Sequence, residues 1–95
     1  MATIDISRAH TLPKDEAKKR AEDFAKSMQT RFELSWHWDG DAIRFDAPSG
    51  VAKGTKGEVS VNESRVRVQI DLPFLLRAIK GTIESKVNEK LDAFL

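Results

Sequence analysis

The 95-residue chain contains no cysteine, which excludes disulfides, thiolate metal sites and cysteine nucleophiles and leaves packing alone to hold the fold. Long apolar runs are missing as well, and no uninterrupted stretch approaches the roughly 20 residues that a membrane-spanning helix needs. Met1 to His10 alternates Ile4 and Ile6 with Asp5, Ser7 and Arg8, so it lacks the apolar segment of a secretory signal peptide. These absences lead to the expectation of a cytoplasmic protein without a transmembrane segment. An excess of one charge is also lacking. Sixteen Lys and Arg side chains face 15 Asp and Glu, for a net charge of +1, and with 40% hydrophobic residues the chain reads as globular rather than disordered. At this length about two-thirds of the unfolded surface can be buried, enough for one core and not two, so residues 1–95 are expected to form a single domain.

Chemistry-bearing motifs are equally scarce. His10 and His37 are the only imidazoles, and neither stands at a metal-ligand spacing from another histidine or a carboxylate pair. Asp39 and Asp41 flank Gly40, but the further oxygen ligands and distal glutamate of a calcium loop are missing, so the segment reads as a turn. The glycines at 50, 54, 57 and 81 form neither a phosphate-binding loop nor a dinucleotide fingerprint, and no Gly-x-Ser-x-Gly elbow presents a nucleophile. The acidic residues near the N-terminus interleave with basic ones: Asp15 with Lys19, Glu16 with Arg20 and Glu22 with Lys26 stand four apart, the spacing of a solvated helix face. The expectation is a protein that is not an enzyme and has no catalytic, cofactor-binding or metal residues.

What is present is a clear alternation of periods. Ile4 and Ile6 mark a short strand at the start. Thr11-Leu12-Pro13 gives a helix-start signal with Thr11 as candidate cap. Ala17, Ala21, Phe24, Ala25, Met28 and Phe32 follow at helical spacing, which predicts a helix from about Pro13 to Arg31 with a light, alanine-rich face. Period two returns in Leu34-Ser-Trp-His-Trp38 and in Ala42-Ile-Arg-Phe-Asp46, separated by a tight turn at Asp39-Gly40 or Gly40-Asp41. Either two-residue turn puts Leu34, Trp36 and Trp38 on one face with Ile43 and Phe45. Asp46 to Lys56 reads as a looser connection or an irregular strand start. Val59 and Val61, then Val66, Val68, Ile70 and Leu72, mark two further strands around a turn at Asn62 to Arg65. Pro73 opens a last helix whose apolar positions Leu75, Leu76, Ile79, Ile83, Val87, Leu91 and Phe94 form one stripe. This heavier stripe predicts that the last helix crosses the sheet centre.

The order β-α-β-β-β-β-α predicts an α+β domain: one antiparallel sheet of about five strands, order 1-5-4-3-2 or a close variant, with two helices on one face. Two candidate surfaces follow. Arg44, Arg65 and Arg67, near His37, form a basic patch on the uncovered sheet face. Sheets that bind nucleic acid add exposed aromatics for stacking, and here parity sends both tryptophans to the helix-covered side, which argues against a nucleic-acid partner. On the back of the last helix, Ala78, Gly81, Ser85 and Asp92 share a face. An interior helix glycine costs about 1 kcal/mol relative to alanine, so Gly81 is either tolerated in solvent or admits a second surface closely, as in a homodimer.

Taken in order, Thr3-Ile-Asp-Ile-Ser-Arg-Ala-His-Thr-Leu-Pro13, Leu34-Ser-Trp-His-Trp-Asp-Gly40, Gly57-Glu-Val-Ser-Val61, Arg65-Val-Arg-Val-Gln-Ile-Asp-Leu72 and Leu75-Leu-Arg-Ala-Ile-Lys-Gly-Thr-Ile-Glu84 resemble the polyhydroxyalkanoic acid system protein family. Those are small bacterial proteins associated with polyhydroxyalkanoate genes, and the resemblance covers essentially the whole chain. It implies an accessory role in storage-polyester metabolism, with the granule or its surface proteins as partners, and supplies no catalytic or binding residues. Contact with the granule would run through partner proteins, a patch near Phe74 or the Phe94-Leu95 terminus, or opening of a helix. The rival expectation is a small carrier of a hydrophobic ligand, by analogy with helix-grip domains. A cavity lined by Trp36, Trp38, Phe45 and Ile83 would favour the carrier, and a filled sheet-helix interface would favour the interaction protein.

Overall fold

The computed structural model describes residues 3–50 and 52–94. Five strands, β1 (Ile4–Ala9), β2 (Ser35–Asp39), β3 (Ala42–Asp46), β4 (Lys56–Val61) and β5 (Arg65–Asp71), form one antiparallel sheet in the order β1-β5-β4-β3-β2. The helices are α1 (Lys14–Phe32), α2 (Phe74–Arg77) and α3 (Lys80–Phe94). The α+β class, the strand order and the meander therefore match the pattern in the sequence.

The hairpin registers follow the parity argument. Trp36 pairs with Phe45 and Trp38 with Ile43 across β2–β3, so the apolar sets share the helix-covered face. The turn is Gly40-Asp41, with Gly40 at φ +63°, the first central position that a two-residue hairpin turn commonly gives to glycine. At the β4–β5 turn, Asn62 Oδ1 accepts hydrogen bonds from the backbone N–H groups of Ser64 and Arg65 at 2.9 and 2.6 Å, a side chain standing in for turn backbone. Ile4, Ile6, Ile43, Val59, Val66, Val68 and Ile70 line the buried face.

Three helix expectations are corrected. Thr11 does not cap α1. Pro13 occupies the cap position with no side-chain hydrogen bond, and the preceding turn is fixed by His10, whose Nδ1 accepts from Leu12 N at 3.2 Å while Nε2 lies 2.8 Å from Asn62 O. The ring thus ties the β1–α1 connection to the β4–β5 turn, which gives His10 a structural role.

The last helix is not continuous. It breaks at Ala78-Ile79, beside Gly81, where the intrinsic cost of leaving the helix is lowest. Leu75 and Ile79, expected in the core stripe, are exposed as a result, and Ala78 caps α2 instead of sharing a helix face with Gly81 and Ser85.

The helix over the sheet centre is also not the expected one. α1 lies over β4, β3 and β2, whereas α3 packs against α1 and β1. The small side chains of Ala17, Ala21 and Ala25 let α1 sit close to the strands, and the bulkier stripe of α3 is displaced to the flank, where only Val87 and Leu91 are fully buried. Phe94 turns inward and meets Phe24 edge-on at 6.4 Å between ring centroids.

Candidate functional site

Because α1 and α3 diverge where α2 breaks away, the sheet is incompletely covered at one end. An open cleft of about 360 Å³ lies there, floored by Phe45, Ile70 and Leu72 and walled by Met28 and Phe32 of α1 and by Leu76, Ile79, Ile83 and Val87 of the last helical segment. Its lining is almost wholly apolar. Four residues depart from that, Arg31, Thr55, Thr82 and Lys86. Arg31 and Lys86, both exposed, contribute their side chains from opposite walls. Thr55, 6% exposed, has a buried hydroxyl with no hydrogen-bond partner.

Beside the cleft stands the most exposed apolar surface among the described residues. Phe74 is 82% exposed, Leu75 84% and Ile79 49%, while Leu76 between them turns into the cleft. Arg77 secures the short helix by donating from Nε to Leu72 O at 3.1 Å.

A family model described as polyhydroxyalkanoic acid system protein matches residues 4–95. The chain belongs to that family. The match runs from β1 through α3, so every element that frames the cleft lies within it. No curated protein and no solved structure matches the chain.

The tryptophans expected to line a cavity stand outside the cleft. Trp36 donates from Nε1 to Gln29 Oε1 at 2.8 Å and Trp38 to Glu22 Oε1 at 3.1 Å, so each is tied to α1. The Trp38 hydrogen bond is also the main cause holding the Glu22 carboxyl below its ordinary value. Lys18 Nζ lies 5.0 Å from the centroid of the Trp38 ring. Phe45 and Ile83 do line the cleft.

Two of the three basic side chains on the sheet face are paired with acids of neighbouring strands, and Arg65 meets only a hydroxyl. Arg67 grips Asp5 with two hydrogen bonds of 3.0 and 2.6 Å, Arg44 donates to Asp39 at 2.7 Å and Arg65 to Ser7 Oγ at 3.1 Å. The Arg67 hydrogen bond lowers the Asp5 carboxyl below the ordinary 3.8, and the Asp39 hydrogen bond raises the Arg44 guanidinium. Asp41 is likewise drawn down, by Lys14 first and then Lys18. Asp39 and Asp41, the acidic pair at the turn, are thus engaged with basic side chains.

On α3 the back face is divided. Gly81 and Ser85 are exposed, and a Cβ at Gly81 would meet nothing within 4 Å. Asp92 is engaged by Arg8 of β1, which also donates to Asn88 Oδ1 at 2.8 Å. Phe94 lies against the core, Leu95 falls outside the described residues, and of the apolar positions proposed from sequence Phe74 alone stands fully in solvent. Periodicity could not reveal the cleft, because it reports which face a residue takes and not whether two helices meet over it. Gly81, a poor helix former on the back of the predicted last helix, was the available signal.

Proposed function

We propose that this family member is a non-enzymatic accessory protein of polyhydroxyalkanoate metabolism that docks on the storage-polyester surface through α2 and the α2–α3 join. The observation that carries this reading is the exposure of Phe74, Leu75 and Ile79. Three large apolar side chains grouped on so small a domain mark an interaction surface, and a polyester presents a matching apolar face. Among the described residues no helix is long and apolar enough to cross a membrane, and surface attachment through a few side chains does not require one.

The test is co-sedimentation of the purified protein with washed polyhydroxyalkanoate granules, bare and carrying their surface proteins. Binding to bare polymer that is lost in the Phe74→Asp, Leu75→Asp double variant is the expected result. Binding only to coated granules would point to protein partners. Absence of binding in both preparations, or binding indifferent to the double variant, would overturn the reading. Trp36 and Trp38 lie away from α2, so their fluorescence should stay unchanged if docking leaves the helices closed.

A second reading, a small carrier of an apolar ligand, is supported by the cleft itself. Its volume of about 360 Å³ lies at the lower end of the range typical of small-molecule sites, roughly 300–1,000 Å³.

A further inference from the structure

We propose that the cleft between α1, α2 and α3 binds a single medium-length acyl chain through its carboxylate, with Arg31 and Lys86 holding the head group and the apolar walls holding the chain. This rests on the carrier reading and names its ligand class.

Charge complementarity carries the inference. The charged side chains that line the cleft are Arg31 and Lys86, both cationic. Elsewhere on the surface about half of the basic side chains are matched, among them Lys14 and Lys18 to Asp41, Arg44 to Asp39 and Arg67 to Asp5; Arg31 and Lys86 are the unmatched ones that line the apolar cleft. Among the described residues Arg31 and Lys86 make no ion pair. Two unmatched cations on opposite walls of an apolar trough are the complement of an amphiphilic anion. The interior suits a hydrocarbon chain, since Met28, Phe45, Leu72 and Ile83 offer dispersion contacts and no competing hydrogen bonds.

The size is also informative. The site holds one chain and leaves no room for a folded polymer segment, so the ligand is a monomeric acid or short acyl unit, distinct from the polyester surface that α2 faces.

The experiment is a two-dimensional NMR titration of the full chain with octanoate, its β-hydroxy derivative and the neutral alcohol octanol, each below the concentration at which it aggregates. It is repeated for Arg31→Gln, Lys86→Gln and the double variant, whose exposed positions leave the core untouched. The expected result is saturable shifts at Thr55, Leu76, Ile79 and Ile83 with octanoate, weakened roughly tenfold or more in the double variant, while octanol binds more weakly and is indifferent to the charge changes. Equal binding of octanol and octanoate, unaffected by both substitutions, would overturn the acid as ligand class and leave an apolar carrier. No binding of any of the three would remove the carrier reading altogether, without bearing on granule docking. Concentration-dependent shifts of Phe74, Leu75 and the cleft in the protein alone would identify a second copy as the occupant and overturn the proposal.

Discussion

The ring of Phe45 occupies the space that a side chain at Gly57 would need. The two residues are directly opposed across β3–β4, and a Cβ on Gly57 would stand 2.2 Å from Phe45 Cζ and 2.8 Å from Gln69 O. Glycine is therefore required here by close approach, and the aromatic ring covers the gap that it leaves in the strand. The same ring forms part of the cleft floor, so packing within the sheet and the shape of the candidate site are joined at one residue pair.

Gly57→Ala should destabilise the fold by about 1–3 kcal/mol, the usual cost of overpacking, read as a lowered urea midpoint at unchanged slope. The same substitution should cost less in a Phe45→Ala background than in the wild type, because the two positions share one contact. An unchanged midpoint for Gly57→Ala would mean that the ring swings aside freely.

The Asp5–Arg67 pair should make stability depend on acid in a defined direction. The folded-state value of Asp5 lies below 3.8, so the stabilisation is complete above the ordinary aspartate value and is lost as pH falls through the folded one. Wild type should therefore melt above Asp5→Asn at neutral pH, and the difference should vanish in strong acid. Carboxyl NMR should place the Asp5 midpoint below 3.8 and return it upward in Arg67→Gln. A midpoint at or above 3.8 in the wild type would contradict the ion pair. Asp41 should behave in the same sense towards Lys14.

Thr55→Val replaces an unpartnered buried hydroxyl by a methyl of the same shape. Removing an unsatisfied polar group is expected to stabilise the protein, by up to about 1 kcal/mol. Thermal unfolding decides it, and a clear loss of stability would show that the hydroxyl is satisfied in solution.

Gly81→Ala should raise stability by about 0.5–1 kcal/mol, since the backbone is already helical and the space beside it is open. Sedimentation of this variant and of Gly81→Leu should match the wild type. A shift in oligomeric state for Gly81→Leu alone would make the back of α3, with Ser85, an interface between copies.

Legibility differed between strands and helices for a physical reason. In the meander, side chains alternate with a period of two and the turns are short, so Trp36 opposite Phe45 and Val61 opposite Val66 follow from parity once the turn residues are recognised. The meander leaves two free edges, at β5 and at β2, and β1 takes the one beside β5. The basic patch illustrates the limit of that reading. Arg44, Arg65 and Arg67 were assigned to the correct face, but the pairing of Arg44 with Asp39 and Arg67 with Asp5, and the hydrogen bond of Arg65 to Ser7, depend on which strands lie side by side.

For the helices, the sequence by itself determined that two amphipathic segments cover one face of a five-stranded sheet, because hydrophobic periodicity is a local property of the chain. Which helix takes the centre, where the second one breaks and whether the two close over the strands were decided only in the tertiary structure. Those outcomes depend on how near a backbone can approach the sheet. The alanines of α1 permit close contact, the larger side chains of α3 push it to the flank beside β1, and the break before Gly81 leaves Phe74 and Leu75 outside. The cleft is the space left between these two packing distances.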